Sequence, residues 1–156
     1  MRTILCTVAM LIGVSAAWAD EEKIALDKLP KAVSESVKKR FPKGELASAV
    51  KEVADKKTTY EVTLKDGGVT VDVNVNEDGT ITGFEKEAAI KDLPKAVVAT
   101  VAAKYPNMKM KKGEIVYSVK DGKETLEYYE IFVEIDGKDV EVEVLPDGTL
   151  KPMVKK

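Results

Sequence analysis

The sequence predicts an α+β protein built as a tandem repeat, each copy a helix packed on a three- to four-stranded antiparallel sheet. Three observations lead there. Matching segments recur in the same order in two halves of the chain. Each half opens with an apolar stripe at helical spacing. Each then continues in residues that alternate apolar and polar with a period of two.

The elements follow in order. Arg2 precedes an apolar run from Ile4 to Val14, and Ala17 and Ala19 occupy the third and first positions before Asp20. A charged start, a short apolar core and small residues ahead of a cleavage point form a Sec signal-peptide pattern. The run falls short of the roughly 20 residues that span a membrane, so no stable anchor is expected once residues 1–19 are removed. Cleavage after Ala19 sends the chain to the periplasm or outside the cell. It takes away Cys6, Trp18 and Arg2, which are the only Cys, the only Trp and one of two Arg residues. An exported chain without cysteine must hold its core without disulfides.

Two registers of repetition organise the remainder. Leu29-Pro30-Lys31-Ala32-Val33 recurs as Leu93-Pro94-Lys95-Ala96-Val97, and Phe41-Pro42 as Tyr105-Pro106, both 64 residues on. Tyr60-Glu61-Val62 recurs as Tyr129-Glu130-Ile131, 69 residues on. The same offset of 69 relates Val71-Asp72-Val73-Asn74-Val75 to Val140-Glu141-Val142-Glu143-Val144. Asp78-Gly79-Thr80-Ile81 likewise returns as Asp147-Gly148-Thr149-Leu150. The second copy thus carries five extra residues between Pro106 and Tyr129, expected to lengthen its first hairpin around Asp121-Gly122. The expected repeats are residues 20–87 and 88–156.

Each copy begins with a helix. Pro30 and Pro94 suit a first helical position, where a missing N–H costs nothing. Val33, Val37 and Phe41 share one face, as do Val97, Val101 and Tyr105, and Pro42 and Pro106 stop each helix. Strands follow. Tyr60, Val62 and Leu64 alternate with Thr59, Glu61, Thr63 and Lys65. Asp66-Gly67-Gly68 turns the chain, and Val69, Val71, Val73 and Val75 point inward. Ile81 to Phe84 starts another strand, and Glu45 to Val53 is a weaker first one. The second copy gives Gly113 to Val119, Leu126 to Ile135, Lys138 to Leu145 and Leu150 to Val154. One face of each sheet is expected under its helix and the other in water.

This order of Leu-Pro-x-x-Val, an aromatic-Pro pair, Tyr-Glu-Val and a Val-x-Val-x-Val strand ending at Asp-Gly resembles the PepSY-like proteins. These are exported proteins similar to the β-lactamase-inhibitor protein. The resemblance runs in both copies from Leu29 to the C-terminus. It implies a tandem helix-plus-sheet architecture and binding or inhibition of another protein, without catalysis. The β-lactamase-inhibitor protein is disulfide-bonded, whereas this chain has no cysteine after Cys6. No motif here carries over its inhibitory contacts.

The residues that could carry chemistry are few. With no histidine, the chain has no Ser-His-Asp or Cys-His machinery and no imidazole ligand. Its 25 basic and 27 acidic residues leave no positive excess for phosphates, and Arg40 is the only Arg after the signal. Neither an enzyme nor a nucleic-acid binder is expected, and no cofactor. Asn74, Asn76, Asp78 and Glu85 match the oxygen-ligand spacing of an EF-hand loop, although Asn74 stands where Asp is usual and the flanks are strands.

The outward face of the second sheet is the most informative surface. If Tyr129, Ile131, Val133 and Ile135 face the helix, then Tyr128, Glu130, Phe132 and Glu134 face away. Aromatic anchors among carboxylates suit a site for a basic protein partner. The alternative is that these aromatics cover the junction between the copies or lie under a loop. The expectation is an exported non-enzymatic binding protein, an inhibitor or modulator of a secreted or envelope protein such as a peptidase. The alternative function is a periplasmic protein that binds a divalent cation or small ligand through Asn74, Asn76, Asp78 and Glu85.

Overall fold

A computed structural model describes residues 20–152. The expected signal peptide, its cleavage point after Ala19, and the end of the strand expected at 150–154 lie outside the described residues. The chain runs β1 (Asp20–Ile24), α1 (Lys31–Arg40), β2 (Glu45–Ala54), β3 (Lys57–Asp66) and β4 (Val69–Asn76). It continues as β5 (Ile81–Ala88), α2 (Lys95–Lys104), β6 (Lys109–Lys120), β7 (Lys123–Ile135) and β8 (Lys138–Val144). Short 3₁₀ turns at Leu26–Lys28 and Ile90–Asp92 lead into the helices.

The eight strands of the described residues form one antiparallel sheet in sequential order. This corrects the expected fold of two helix-on-sheet units with three or four strands each. The described residues are mostly sheet, with two ten-residue helices on it. Strand β5 is the reason. It pairs with β4 on one side and with β6 on the other, from Gly83↔Ser118 to Ala88↔Gly113. An unpaired edge there would leave a row of backbone donors and acceptors open between the repeats. The order strand, helix, three strands also occurs twice, with β1 and β5 in equivalent places. Period-two alternation missed β1 because Asp20–Ile24 holds a single apolar residue.

The helices form where the prolines and stripes place them. Pro30 and Pro94 are the residues just before each helix, and the Phe41 and Tyr105 N–H groups close the last turns onto the carbonyls of Val37 and Val101. Val33, Val37, Val97 and Val101 are fully buried. Each such side chain contributes about 1.5–3 kcal/mol by leaving water. The first helix packs on Tyr60, Val62, Leu64, Val71, Val73 and Val75, and the second on Tyr129, Ile131, Val133, Val142 and Val144. These inward sets lie on one face of the sheet, so both helices cover the same side. The five extra residues are where the sequence places them: β6 and β7 have 12 and 13 residues, against 10 each in β2 and β3, around a turn at Asp121-Gly122.

The repeats are joined on the helix side. Phe84 of β5 packs edge-on to Phe41 at 5.7 Å and stacks on Tyr117 of β6 at 4.8 Å. The Arg40 guanidinium lies over the Phe41 and Phe84 rings and forms an ion pair with Glu124 of β7. The hairpin turns that follow β4 and β8 abut the helices at Ala32 and Ala96.

Candidate functional site

The side chains that point away from the helices are mostly polar, because alternation sends every second residue to that face. Cross-strand register then decides which of them meet. Thr63 stands opposite Asp72, Asp72 opposite Glu85, Glu114 opposite Glu130, and Glu130 opposite Glu143. A line of carboxylates therefore crosses the helix-free face, passing from β4 to β8.

At its centre Glu85, Glu114 and Glu130 come together from β5, β6 and β7. One carboxylate oxygen of each lies within 4.8 Å of the others. They are the buried charged residues among those described, at 2%, 5% and 4% exposure. Among the described residues neither Glu85 oxygen has a hydrogen-bond partner, nor has Glu130 Oε2. Lys112 Nζ holds Glu114 at 2.6 Å.

The field here opposes ionisation. Burial first, then Glu130 and Glu114, pushes the Glu85 carboxyl up to about 8. Burial, Glu141 and Glu114 push Glu130 up to about 8. Glu61 rises to about 7 through burial and Asp72. Burial raises Glu114 too, against the pull of Lys112. A carboxyl raised in the folded state binds its proton more tightly there than in the unfolded chain. Between about pH 4.5 and about 8 folding therefore takes up protons, and stability falls as pH rises through that window. In buffer freed of divalent cations, thermal melts should show a drop of roughly 5 °C or more from pH 5 to pH 9. Glu85→Gln with Glu130→Gln should flatten that profile.

The four residues expected at a partner site all lie on the helix-free face, at alternate positions of β7. Tyr128 and Glu130 are nevertheless buried, while Phe132 and Glu134 are half-buried. Lysines cover the two rings. Lys151 Nζ sits 3.5 Å from the Tyr128 ring centre and Lys112 Nζ 4.4 Å from that of Phe132. The ammonium groups lie over the ring faces as cation–π contacts and cover them from water. Burial and the neighbouring Glu143 raise the Tyr128 phenol above its usual range. Glu134 accepts Lys111 at 3.1 Å, and Lys111 also pairs with Asp139.

The four residues of the expected cation loop are placed apart along one hairpin. Asn74 and Asn76 lie on β4, and Asp78 at the turn accepts the Thr80 N–H at 2.8 Å. Glu85 stands opposite Asp72, well down the ladder from that turn. It meets Glu114 and Glu130 instead. The sequence reading missed Glu114 and Asp72 as site residues. A signal for Glu114 was present: it stands 64 residues after Val50, so the second copy puts an acid where the first has an apolar residue.

No helix among the described residues is long and apolar enough to cross a membrane. No match was found among curated proteins. Solved structures similar to this one include a BLIP-like protein from Bacteroides fragilis, 20% identical, with a TM-score of 0.59 over 78% of this chain and 82% of that one. A DUF2874 family protein from Bacteroides ovatus is also 20% identical, with a TM-score of 0.62 over 80% and 85%. A protein from Bacteroides eggerthii described as a "putative periplasmic" protein is 17% identical, with a TM-score of 0.62 over 78% and 84%. At these identities the likeness is one of fold. The profile of the family described as "Putative beta-lactamase-inhibitor-like, PepSY-like" matches residues 14–83 and again 83–151. The chain therefore belongs to the PepSY-like, β-lactamase-inhibitor-like family, in two tandem copies.

Proposed function

We propose that this is a periplasmic, non-enzymatic binding protein, exported by a signal cleaved after Ala19. It holds a basic surface of a protein partner against the helix-free face of its sheet. In this reading it inhibits or modulates an envelope or secreted protein such as a peptidase. One observation carries the proposal: the face without helices presents a line of carboxylates flanked by Phe132. Carboxylates there select a cationic partner and speed its approach, while the half-buried ring supplies contact area. Family membership and the lack of histidine in the chain agree with a binding role.

The test is cross-linking and co-purification from the native envelope, comparing wild type with Phe132→Ala/Glu134→Lys/Glu141→Lys. These side chains are half-buried or exposed, so the fold should tolerate the changes. A partner captured by wild type should be lost at least tenfold in the variant and weakened by half-molar salt. Equal capture by both proteins would remove this face as the binding surface.

A further inference from the structure

The meeting of Glu85, Glu114 and Glu130 is more than an acidic patch. Carboxylates on a sheet are ordinarily solvated or paired; Lys112 pairs Glu114, but Glu85 is neither solvated nor paired among the described residues. Glu85 is 2% exposed, neither of its oxygens has a donor among the described residues, and one of them lies within 4.8 Å of an oxygen of each of the other two carboxylates. Glu130 Oε2 is unpartnered among the described residues, at 4% exposure. Burying a carboxylate with nothing to neutralise it costs several kcal/mol. Three adjacent strands hold these groups in place, so they cannot easily swing out to water.

We propose that Glu85, Glu114 and Glu130 bind one divalent cation, with calcium the best-matched ion. The donor set is all oxygen, and the chain offers no histidine, which favours a hard cation over zinc or copper. The charge fits as well. Three ionised carboxylates beside the Lys112 ammonium leave two negative charges, which one divalent ion balances. Size decides between the hard ions. Calcium sits about 2.3–2.6 Å from its oxygens, so its shell is roughly 5 Å across. Oxygens within 4.8 Å of one another can close onto that shell with small side-chain movements. Magnesium, at about 2.0–2.1 Å with strict octahedral geometry, needs a tighter cage or keeps its waters. The ion would tie together β5, β6 and β7, across two strand pairings. This site shares only Glu85 with the loop spacing noted in the sequence, and it stands whether or not the face binds a protein.

The test uses protein stripped with chelator and exchanged into metal-free buffer at pH 8. Calorimetry with calcium chloride should give one site per chain, and melting should rise by at least 3 °C at 1 mM calcium, with less effect from magnesium. Glu85→Gln and Glu130→Gln should each weaken calcium binding at least tenfold. They should also raise the calcium-free melting temperature, since each removes a repelling charge. A purely structural role would not give these opposite changes. Terbium supplies a second readout that needs no acid variant. Its emission, excited through tyrosine, should appear at one equivalent, be displaced by calcium and fall in Tyr128→Phe. No heat and no melting shift at 5 mM calcium would overturn the proposal. So would an undiminished response in the Glu85→Gln/Glu130→Gln variant, and an equal response to magnesium would overturn the choice of calcium.

Discussion

Phe84→Ala should cost about 3–5 kcal/mol of folding free energy, among the largest losses available to a single side chain in this protein. The ring is 5% exposed and lies where the repeats meet. It contacts Phe41 edge-on, stacks on Tyr117 of the second repeat, and lies under the Arg40 guanidinium. Truncation leaves a cavity and strips both aromatic neighbours and the cation of their partner. Because β5 pairs with both β4 and β6, the damage should reach both halves of the sheet. Urea unfolding followed by tyrosine fluorescence and by far-UV circular dichroism should show the same displaced midpoint. A loss below about 1 kcal/mol would mean that the junction is not packed as described.

The second large effect is expected at a turn. Gly79 has φ +88°, and a Cβ added there would lie 2.7 Å from the Ala32 carbonyl oxygen of α1. Gly79→Ala therefore combines left-handed backbone strain with overpacking against a helix backbone that has little room to move. Together these should cost about 2–4 kcal/mol. Gly67, at φ +60° in the β3–β4 turn, has nothing within 4 Å of such a Cβ. Gly67→Ala should cost only about 1 kcal/mol, the backbone part alone. The difference between the two denaturation midpoints measures the contact of the turn with the helix. Equal losses would show that the turn does not press on α1.

How far residues alone reach can be judged at particular places. The stripe Val33-Val37-Phe41 and its repeat gave two helices, because buried apolar positions recur every turn. The offsets of 64 and 69 located the longer hairpin to within its strands. Alternation also assigned Tyr128, Glu130, Phe132 and Glu134 to the correct face. It could not supply neighbours, since period two says which side a residue takes and nothing of what stands opposite. Glu85, Glu114 and Glu130 meet only through the β5–β6 and β6–β7 registers. The burial of Tyr128 likewise depends on Lys151, which reaches it through the fold-back after β8. The single sheet was hidden for a related reason. Each repeat reads as complete in itself, and only the backbone hydrogen bonds of β5 require the second to join the first.

That junction underlies the rest, because one continuous helix-free face exists only if β5 and β6 are paired. Native-state hydrogen exchange in rising denaturant tests it directly. The facing amides of β5 and β6, from Gly83 to Ala88 and Gly113 to Ser118, should be protected like those of β3 and β4. They should also open in the same global transition as both halves of the sheet. Fast exchange at the β5–β6 ladder, with β1–β4 and β6–β8 opening in two separate transitions, would contradict it.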